Sequence, residues 1–442
     1  MKFVKIIALA LMSQACAVMA FAAPNSIETR MDALLNPYVA SAQFNGVVIV
    51  TKQGKTIFAK AYGMANYEFG VPNRLDTRFK IASLSKPITD AALGVLLDAG
   101  KIRMDTKVSE LIPDFPRGNE ITVRHLVEHQ SGVAHTNNLP EFDNITRMTL
   151  AQSVAILKTK PLDFTPGSKT SYSNGGFDVL AMMMERAAGM PFEQLLHSAV
   201  LDKLGMRDTG VAETFRMIPR LAEGYQPGDR RGVRARTRFY PVEMRRSGGS
   251  LYSTAGDIAT FMRAAYGGTL ISAASRRAVF GDDAVFTPGG RSPGLYSVTY
   301  ADPAHDIYVV ALSNNYSPVD GLSRRIYRAV TGEPPLAIKP MTLTDRKLEA
   351  KDADYYDGSF VIEQFGPYSR IGLTVQPDGR LVATSYYGEP TILIPLADGG
   401  WFYPLVDAIC RPQGEARLER LDCASSLKEG VFSFTATRVP AP

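Results

Sequence analysis

The 442-residue sequence has little cysteine, little tryptophan and little net charge. Its formal charge of +5 falls to +3 without Lys2 and Lys5, and so weak a balance gives no sign of a nucleic-acid partner. Beyond residue 23, no apolar run approaches the roughly 20 residues of a membrane-spanning helix, so no membrane span is predicted. A composition of 45% hydrophobic and 21% charged residues excludes a disordered chain. The length favours two folded units.

The first 23 residues have the features of a secretory signal peptide. A basic start precedes an apolar stretch, and small residues stand before Pro24. Ser13 and Gln14 interrupt the stretch well short of the length of a membrane anchor. We therefore expect a secreted or periplasmic protein after removal of residues 1–23. Lipid attachment at Cys16 is the lesser alternative.

Without the leader, the chain has two cysteines, Cys410 and Cys423, which lie close together near the end. Export permits a disulfide between them. Closing a loop of this size is worth roughly 3 kcal/mol in the chain-entropy account of disulfide stabilisation. The alternative is a pair of free, buried thiols.

A proline-rich stretch between Thr331 and Pro340 separates two residue patterns. Three prolines in seven residues prevent both a helix and a central strand there, so we predict one domain over 24–333 and another over 341–442. The first mixes strands and helices, whereas the second has short strands alone, which indicates a small antiparallel barrel or sandwich. The predicted elements are a hairpin of 46–51 and 56–62, helices ending at Gly100 and Gly189, strands 295–300 and 307–312, and C-terminal strands 371–375, 381–385 and 391–395.

The sharpest local feature is a Ser-x-x-Lys pair, Ser83 and Lys86, at the start of the first of these helices. Pro87 is tolerated only in the first turn of a helix, so Ser83 is expected at its N-terminus. The spacing of three residues puts Ser83 and Lys86 on one face, as a nucleophile beside a candidate base. Alone, the pair is also typical of a helix-capping serine followed by a solvated lysine.

A second element, Tyr172-Ser173-Asn174, again stands just before a helix. With it, the chain resembles the penicillin-recognising serine hydrolases, which include class C β-lactamases, D-alanyl-D-alanine peptidases and carboxylesterases of the same fold. The resemblance covers roughly residues 45 to 314, and the motifs together are far more specific than any one of them. The stretches that follow the family's order are 79–86, 126–132, 172–174, 204–206 and 248–255.

The resemblance implies an α+β catalytic domain, with an antiparallel sheet flanked by helices and an all-helical region, that needs no cofactor and no metal. It implies that Ser83 is the acylated nucleophile, and that Lys86 and Tyr172 are its proton-transfer partners. Asn174 would hold the amide or ester side of the substrate. Lysine and tyrosine, with ordinary pKa values of about 10.4 and 10, are weak bases at neutral pH unless each perturbs the other. Which of the two is the base stays open.

The sequence departs from the family at the third motif. The family has a Lys or His, one residue, then Gly, whereas Thr287-Pro288-Gly289 is the best match here. This departure argues against a substrate that bears a carboxylate, such as a β-lactam. Acyl transfer itself is unaffected, because the oxyanion donors would be the backbone N–H of Ser83 and that of Gly289 or Gly290.

Two other patterns offer different chemistry. His125, Glu128 and His129 match the His-x-x-Glu-His pattern of inverted zinc peptidases, provided that both histidines lie on one helix. The segment from Arg230 to Arg246 is rich in arginine, which indicates either a solvated ribbon or a basic rim that recruits an anionic substrate.

The function predicted from these residues is an exported serine hydrolase that acts through an acyl-enzyme on small esters, D-amino-acid amides or peptides. Peptidoglycan fragments are a further candidate substrate. The first alternative is a catalytically weak protein that binds the cell envelope and retains the pocket, and the second is the zinc peptidase.

Overall fold

The structure is a computed structural model, and the part of the chain that it describes excludes the predicted leader and most of the proline-rich stretch. Both of those predictions therefore lie largely outside the described residues. Within the described part, no helix combines the length and the apolar character needed to cross a bilayer. The described residues are 26–40, 44–142, 148–213, 216–227, 234–237, 246–315, 321–334, 336, 342, 344–362, 370–384, 390–403, 408–425 and 433–440.

The first and larger part of the fold contains an antiparallel five-stranded sheet and the helices around it. The strands of this part are β1 (Gly46–Lys52), β2 (Lys55–Tyr62), β3 (Met64–Asn66), β4 (Val71–Pro72), β5 (Phe79–Lys80), β6 (Gly210–Val211), β7 (Tyr225–Pro227), β8 (Arg234–Arg236), β9 (Leu251–Ser253), β10 (Gly289–Ser292), β11 (Leu295–Asp302) and β12 (Ile307–Ser313). Its helices are α1 (Ile27–Ala40), α2 (Ser85–Asp98), α3 (Val108–Leu111), α4 (Val123–Val127), α5 (Leu150–Lys158), α6 (Asn174–Ala188), α7 (Phe192–Leu196), α8 (Asp202–Leu204), α9 (Arg246–Gly249), α10 (Ala255–Tyr266), α11 (Ala273–Phe280) and α12 (Leu322–Thr331).

The sheet has the strand order β10-β11-β12-β1-β2, and every neighbouring pair is antiparallel. The predicted hairpin is confirmed as β1 and β2, joined through Gln53 and Gly54. Both turn residues have positive φ, of 50° and 72°, which suits the right-handed twist of a tight hairpin. The predicted strands near 295 and 307 are confirmed as β11 and β12. The chain therefore brings its first and last strands of this part together at the centre of one sheet.

Both faces of the sheet are buried, so β1 is apolar along most of its length. Val47 and Ile49 face a large core that also contains α2, α6 and α10, whereas Val48 and Val50 face a smaller core under α1 and α12. Successive side chains of a strand point to opposite faces, which is why a single valine-rich strand serves two cores. The sheet is thus sandwiched between two helical layers.

The two helices predicted from apolar spacing are confirmed as α2 and α6. Gly100 follows α2 with φ of 64°, and Gly189 ends α6 with φ of 73°. A left-handed residue at this position satisfies the last carbonyl groups of a helix at the smallest cost for glycine. Ser173 begins α6, since its hydroxyl oxygen accepts a hydrogen bond of 2.9 Å from the N–H of Gly176. Both chemical motifs therefore stand at helix starts.

The C-terminal part is a closed barrel of eight antiparallel strands with its own core, so the barrel alternative is confirmed over the sandwich. Closure comes from the pairing of the first strand with the last, in which Ser359 is opposite Val439. Cys410 and Cys423 face each other on adjacent strands and form the predicted disulfide. The elements are α13 (Ala353–Tyr356), β13 (Gly358–Ile362), β14 (Arg370–Val375), β15 (Leu381–Thr384), β16 (Pro390–Pro395), β17 (Trp401–Tyr403), β18 (Ala408–Gln413), β19 (Arg420–Ser425) and β20 (Ser433–Val439).

Candidate active site

Ser83 lies in a short 3₁₀ turn, residues 82–84, that leads directly into α2. The sequence predicts Ser83 at the N-terminus of this helix. In the structure α2 begins two residues later, at Ser85, and Ser83 lies in the turn that precedes it. Ala82 has φ of 46°, a left-handed conformation that costs free energy in a residue other than glycine. The Ser85 hydroxyl group holds this turn, because it donates to the carbonyl of Ala82 at 2.7 Å and accepts from the N–H of Leu251 at 3.1 Å. The hydrogen bonds of Ser85 therefore hold the turn that carries Ser83.

Lys86 points into the interior from the first turn of α2, and only 6% of the residue is exposed. Its Nζ donates to Asn174 Oδ1 at 2.7 Å and to the carbonyl oxygen of Gly248 at 2.6 Å. The ammonium group also lies 4.6 Å from the centre of the Tyr172 ring and 5.1 Å from that of Phe177. A cation over aromatic faces, with polar acceptors beside it, has partners for its buried charge.

The Tyr172 hydroxyl group is hydrogen-bonded to Ser83 Oγ at 2.7 Å. Tyr172 is 40% exposed, so this bond lies where a substrate can reach it. The structure therefore brings Ser83, Lys86 and Tyr172 together, although 86 residues separate the lysine from the tyrosine along the chain. Asn174 also belongs to this group of side chains. It is fully buried, accepts a hydrogen bond from Lys86 Nζ and donates one to Asn137 Oδ1 at 3.3 Å. A contact of Asn174 with substrate stays a prediction.

Two histidines hold the loop that carries Tyr172. The ring of His129 packs on that of Tyr172 at 4.5 Å, and its Nδ1 accepts from the N–H of Ser173 at 3.2 Å. His135 accepts in the same way from the N–H of Asn174 at 3.1 Å. Burial, together with the positive charge of Lys86, lowers the pKa of His129 to about 3. A neutral imidazole is the form that can accept this hydrogen bond.

This geometry contradicts the zinc-peptidase alternative. Helix α4 ends at Val127, and His129 has φ of 57°, so the histidines do not share a helix face. His125 stays at the start of α4 as part of a capping box, and Glu128 pairs with Arg124 at 3.1 Å. Among the described residues, no group of three or more His, Cys, Asp or Glu side chains could hold a metal ion.

The edge strand β10 runs beside the Ser83 turn. A Cβ atom on Gly290 would lie 2.0 Å from the Ile81 carbonyl oxygen and 3.0 Å from the Ser83 backbone nitrogen, so the two backbones approach as closely as glycine allows. A Cβ atom on Gly289 would instead meet the carbonyl of Ser297, across the sheet. Of the two glycines named from the sequence, Gly290 therefore faces the turn. The strand's next residue is Arg291, whose guanidinium group lies 5.1 Å from the ring of Tyr296.

The arginine-rich segment is described only in part, since 228–233 and 238–245 lie outside the described residues. Arg236 forms ion pairs with Glu68 at 3.1 Å and with Glu223 at 3.2 Å. Two carboxylates thus compensate the charge of Arg236. This pairing weakens the interpretation of Arg236 as part of a basic rim that recruits an anionic substrate. Tyr225 lies beside it and donates to Glu68.

Sequence reasoning missed the roles of His129, His135 and Gly248. His129 and Gly248 do fall within stretches on which the resemblance rests, but nothing in the sequence says that one orients the tyrosine loop and the other binds a lysine. His135 has no motif around it. Its role depends on the fold of the loop alone.

A serine hydrogen-bonded to a tyrosine, with a buried lysine against that tyrosine and a glycine strand alongside, is an arrangement that suits acyl transfer through a serine nucleophile. The sheet between helical layers belongs to the β-lactamase fold. The sequence model of the family described as Beta-lactamase matches residues 31–333, and this chain belongs to that family.

Similar proteins include enzymes that act on esters and amides. Esterase EstB of Burkholderia gladioli is 32% identical over 229 residues, which are 48% of this chain and 58% of the esterase. The D-amino acid amidase of Ochrobactrum anthropi SV3, solved with D-phenylalanine, superimposes with a TM-score of 0.62 at 21% identity, over 69% of this chain and 99% of the amidase. The chain spans a little over half the length of the curated relatives it matches first.

The fold similarity also extends beyond the catalytic part. The octameric penicillin-binding protein homologue of Pyrococcus abyssi superimposes with a TM-score of 0.60 over 92% of this chain and 99% of its own. At 15% identity, this likeness concerns the fold alone.

Proposed function

We propose that the protein is an exported serine hydrolase that forms an acyl-enzyme on Ser83 with small esters or D-amino-acid amides. The observation that carries the proposal is the 2.7 Å hydrogen bond between Ser83 Oγ and the Tyr172 hydroxyl, with Lys86 packed against the same ring. A nucleophile within hydrogen-bond reach of a group that can take its proton, itself oriented by a third group, is the arrangement that covalent catalysis requires. Export rests on the leader of residues 1–23.

In the reactive form, the Tyr172–Lys86 pair lacks one proton. Ser83 Oγ attacks the carbonyl carbon of the substrate, and its proton passes to this pair as the new C–O bond forms. The pair then gives the proton to the leaving alcohol or amine, whose bond to the carbonyl carbon breaks. Water attacks the acyl-enzyme by the same route: one of its protons goes to the pair and its hydroxyl group joins the acyl carbon. The bond between the acyl carbon and Ser83 Oγ then breaks, the pair returns the proton to Ser83, and the carboxylic acid leaves.

The negative oxygen that forms at each step needs two donors. The N–H groups of Ser83 and Gly290 belong to the two backbones that approach each other in the site, and we assign the oxyanion hole to them. Because both donors are backbone groups in fixed segments, they need no reorganisation when charge develops.

Gly290→Ala is expected to lower kcat for ester hydrolysis by about 100- to 1,000-fold, the usual effect of losing one oxyanion donor. The added methyl group would collide with backbone atoms of Ile81 and Leu84, so β10 and the Ser83 turn must separate. The measurement is steady-state hydrolysis of p-nitrophenyl butyrate. Gly256→Ala is the control, because a Cβ atom there has only ordinary contacts, near 3.9 Å. An unchanged kcat in Gly290→Ala would remove Gly290 from the proposed hole.

The substrate class can be tested with three compounds: p-nitrophenyl butyrate, D-phenylalanine amide and a chromogenic cephalosporin. We expect kcat/KM to fall in that order. The p-nitrophenyl ester has the best leaving group, and Thr287, two residues before β10, stands where the family has the cation that would pair with a β-lactam carboxylate. Cephalosporin turnover as fast as ester turnover would contradict this order. A stable adduct without turnover of any compound would instead favour the alternative of an envelope-binding protein.

A further inference from the structure

Asp90 is a buried carboxyl group that the proposed mechanism does not use. It lies on α2 one helical turn after Lys86, and 9% of the residue is exposed. Residues four apart on a helix are neighbours on one face, with Cβ atoms about 5–6 Å apart. The Asp90 Oδ1 atom has no hydrogen-bond partner among the described residues. An unpartnered carboxyl oxygen in a core costs free energy. A functional role beside the site would explain why an aspartate stands at this position.

Within the described part of the chain, Asp90 interacts electrostatically with Lys86 and Tyr266. Lys86 lies one turn away on the same helix. Burial raises the pKa of the Tyr266 phenol on α10, and the charge of Asp90 adds to that rise. Burial raises the pKa of Asp90 well above its ordinary value, and the positive charge of Lys86 opposes that shift. On its other side, Lys86 faces Tyr172 and the neutral His129.

We propose that Lys86 keeps the buried carboxyl group of Asp90 ionised, and that Asp90 is in turn a positioning residue whose charge acts on Lys86 and sets the pH range in which Ser83 can be acylated. The inference rests on the proposed function, since it assigns a partner to the lysine of that mechanism. Asp90 touches neither Ser83 nor substrate in this scheme and acts only through Lys86.

The sign of the effect follows from electrostatics. The reactive form of the Tyr172–Lys86 pair has lost one proton, and a nearby negative charge makes that loss harder. Removing the carboxylate therefore makes the proton easier to lose, and the acidic limb of the rate profile moves to lower pH. An opposite charge within about 4–6 Å shifts a titration by about 1–3 pH units.

The test compares the wild-type protein with Asp90→Asn, which keeps the shape of the side chain and removes its charge. We expect the acidic limb of kcat/KM for p-nitrophenyl butyrate to move by about 1–2 units to lower pH in Asp90→Asn. The control is Asp302→Asn, a similarly buried carboxyl group that bonds His305 and Tyr327 under α12, on the other side of the sheet. Its profile should coincide with that of the wild type.

A profile of Asp90→Asn that coincides with the wild type, at whatever absolute rate, would overturn the proposal, because a purely structural role lowers activity without moving the limb. Mass spectrometry of each variant after fluorophosphonate treatment at alkaline pH separates this outcome from failure of the proposed function. An adduct on Ser83 with no shift rejects the role of Asp90 alone, whereas no adduct even in the wild type rejects the acyl-enzyme and with it the role of Asp90.

A second measurement keeps the proposal testable if Asp90→Asn does not fold. In Lys86→Met the buried carboxyl group loses its opposing charge, so Asp90 should take up a proton at neutral pH. The infrared spectrum of Lys86→Met should then gain a protonated-carboxyl band that the wild type lacks. The same band in both proteins, or in neither, would contradict coupling between Lys86 and Asp90.

Discussion

Ser83→Ala is expected to reduce hydrolysis of p-nitrophenyl butyrate by at least about 10⁴-fold, because the substitution removes the hydroxyl group that takes the acyl group in the proposed mechanism. The variant should also lose the covalent adduct that the wild-type protein forms with a fluorophosphonate. The fold should be unaffected, since the hydrogen bonds that hold the turn come from Ser85 and the backbone around Leu251. Intact-mass spectrometry measures the adduct, and a thermal melt measures the stability of the fold.

The control for this experiment is Ser168→Ala. Ser168 is exposed in the loop before Tyr172 and donates only to the carbonyl of Thr165, at 2.7 Å. Its loss should leave turnover and adduct formation within a few-fold of the wild type. A chelator should have no effect on either protein. The two histidines of the zinc alternative have structural partners instead, since His129 supports the loop of Tyr172 and His125 belongs to the capping box of α4. An adduct that persists in Ser83→Ala would show that the nucleophile lies elsewhere.

Tyr172→Phe is expected to lower kcat/KM by about 10²- to 10⁴-fold, the range associated with loss of a group that transfers the proton in the transition state. The ring should keep its place, because its contacts with His129 and with Lys86 do not involve the hydroxyl group. The substitution removes the 2.7 Å bond to Ser83. Steady-state kinetics together with the rate of fluorophosphonate labelling reports the loss, since both begin with attack by Ser83.

Tyr296→Phe is the matched control, because it removes a tyrosine hydroxyl on β11, across from the edge strand of the site. Its activity should stay within a few-fold of the wild type. If Tyr172→Phe retained wild-type labelling and turnover, Lys86 would be sufficient to take the proton, and the role of Tyr172 would be limited to packing.

Local signals account for what could be predicted of the fold. The hairpin around Gln53 and Gly54 and the helices that end near Gly100 and Gly189 each depend on residues within one turn of each other, so spacing and glycine placement reveal them. The choice between barrel and sandwich could not be made in this way. It depends on the pairing of Ser359 with Val439, which are 80 residues apart, and no local pattern specifies such a partner.

The catalytic candidates could be named for a similar reason. Ser83 and Lys86 are three residues apart, and Tyr172 stands in a short motif that resembles a known family, so their identities are local information. Their roles are still a proposal. The sequence did not distinguish Gly289 from Gly290 as the residue that faces the Ser83 turn. Successive residues of a strand point to opposite sides, so a shift of one residue in register reverses the answer.

The sequence alone was sufficient for the family, the mixed α and β part that precedes the barrel, the all-β C-terminal part and the pair of cysteines that brace it. Only the folded chain shows that His129 leaves its helix with a positive φ and supports Tyr172, and that Arg236 is paired with two glutamates. It also shows that Oδ1 of Asp90, one turn from Lys86, has no hydrogen-bond partner among the residues that the structure describes. Residue types and short spacings are written in the sequence. Partners that are distant along the chain, and the burial that sets their charge, exist only after the sheet and helices have packed.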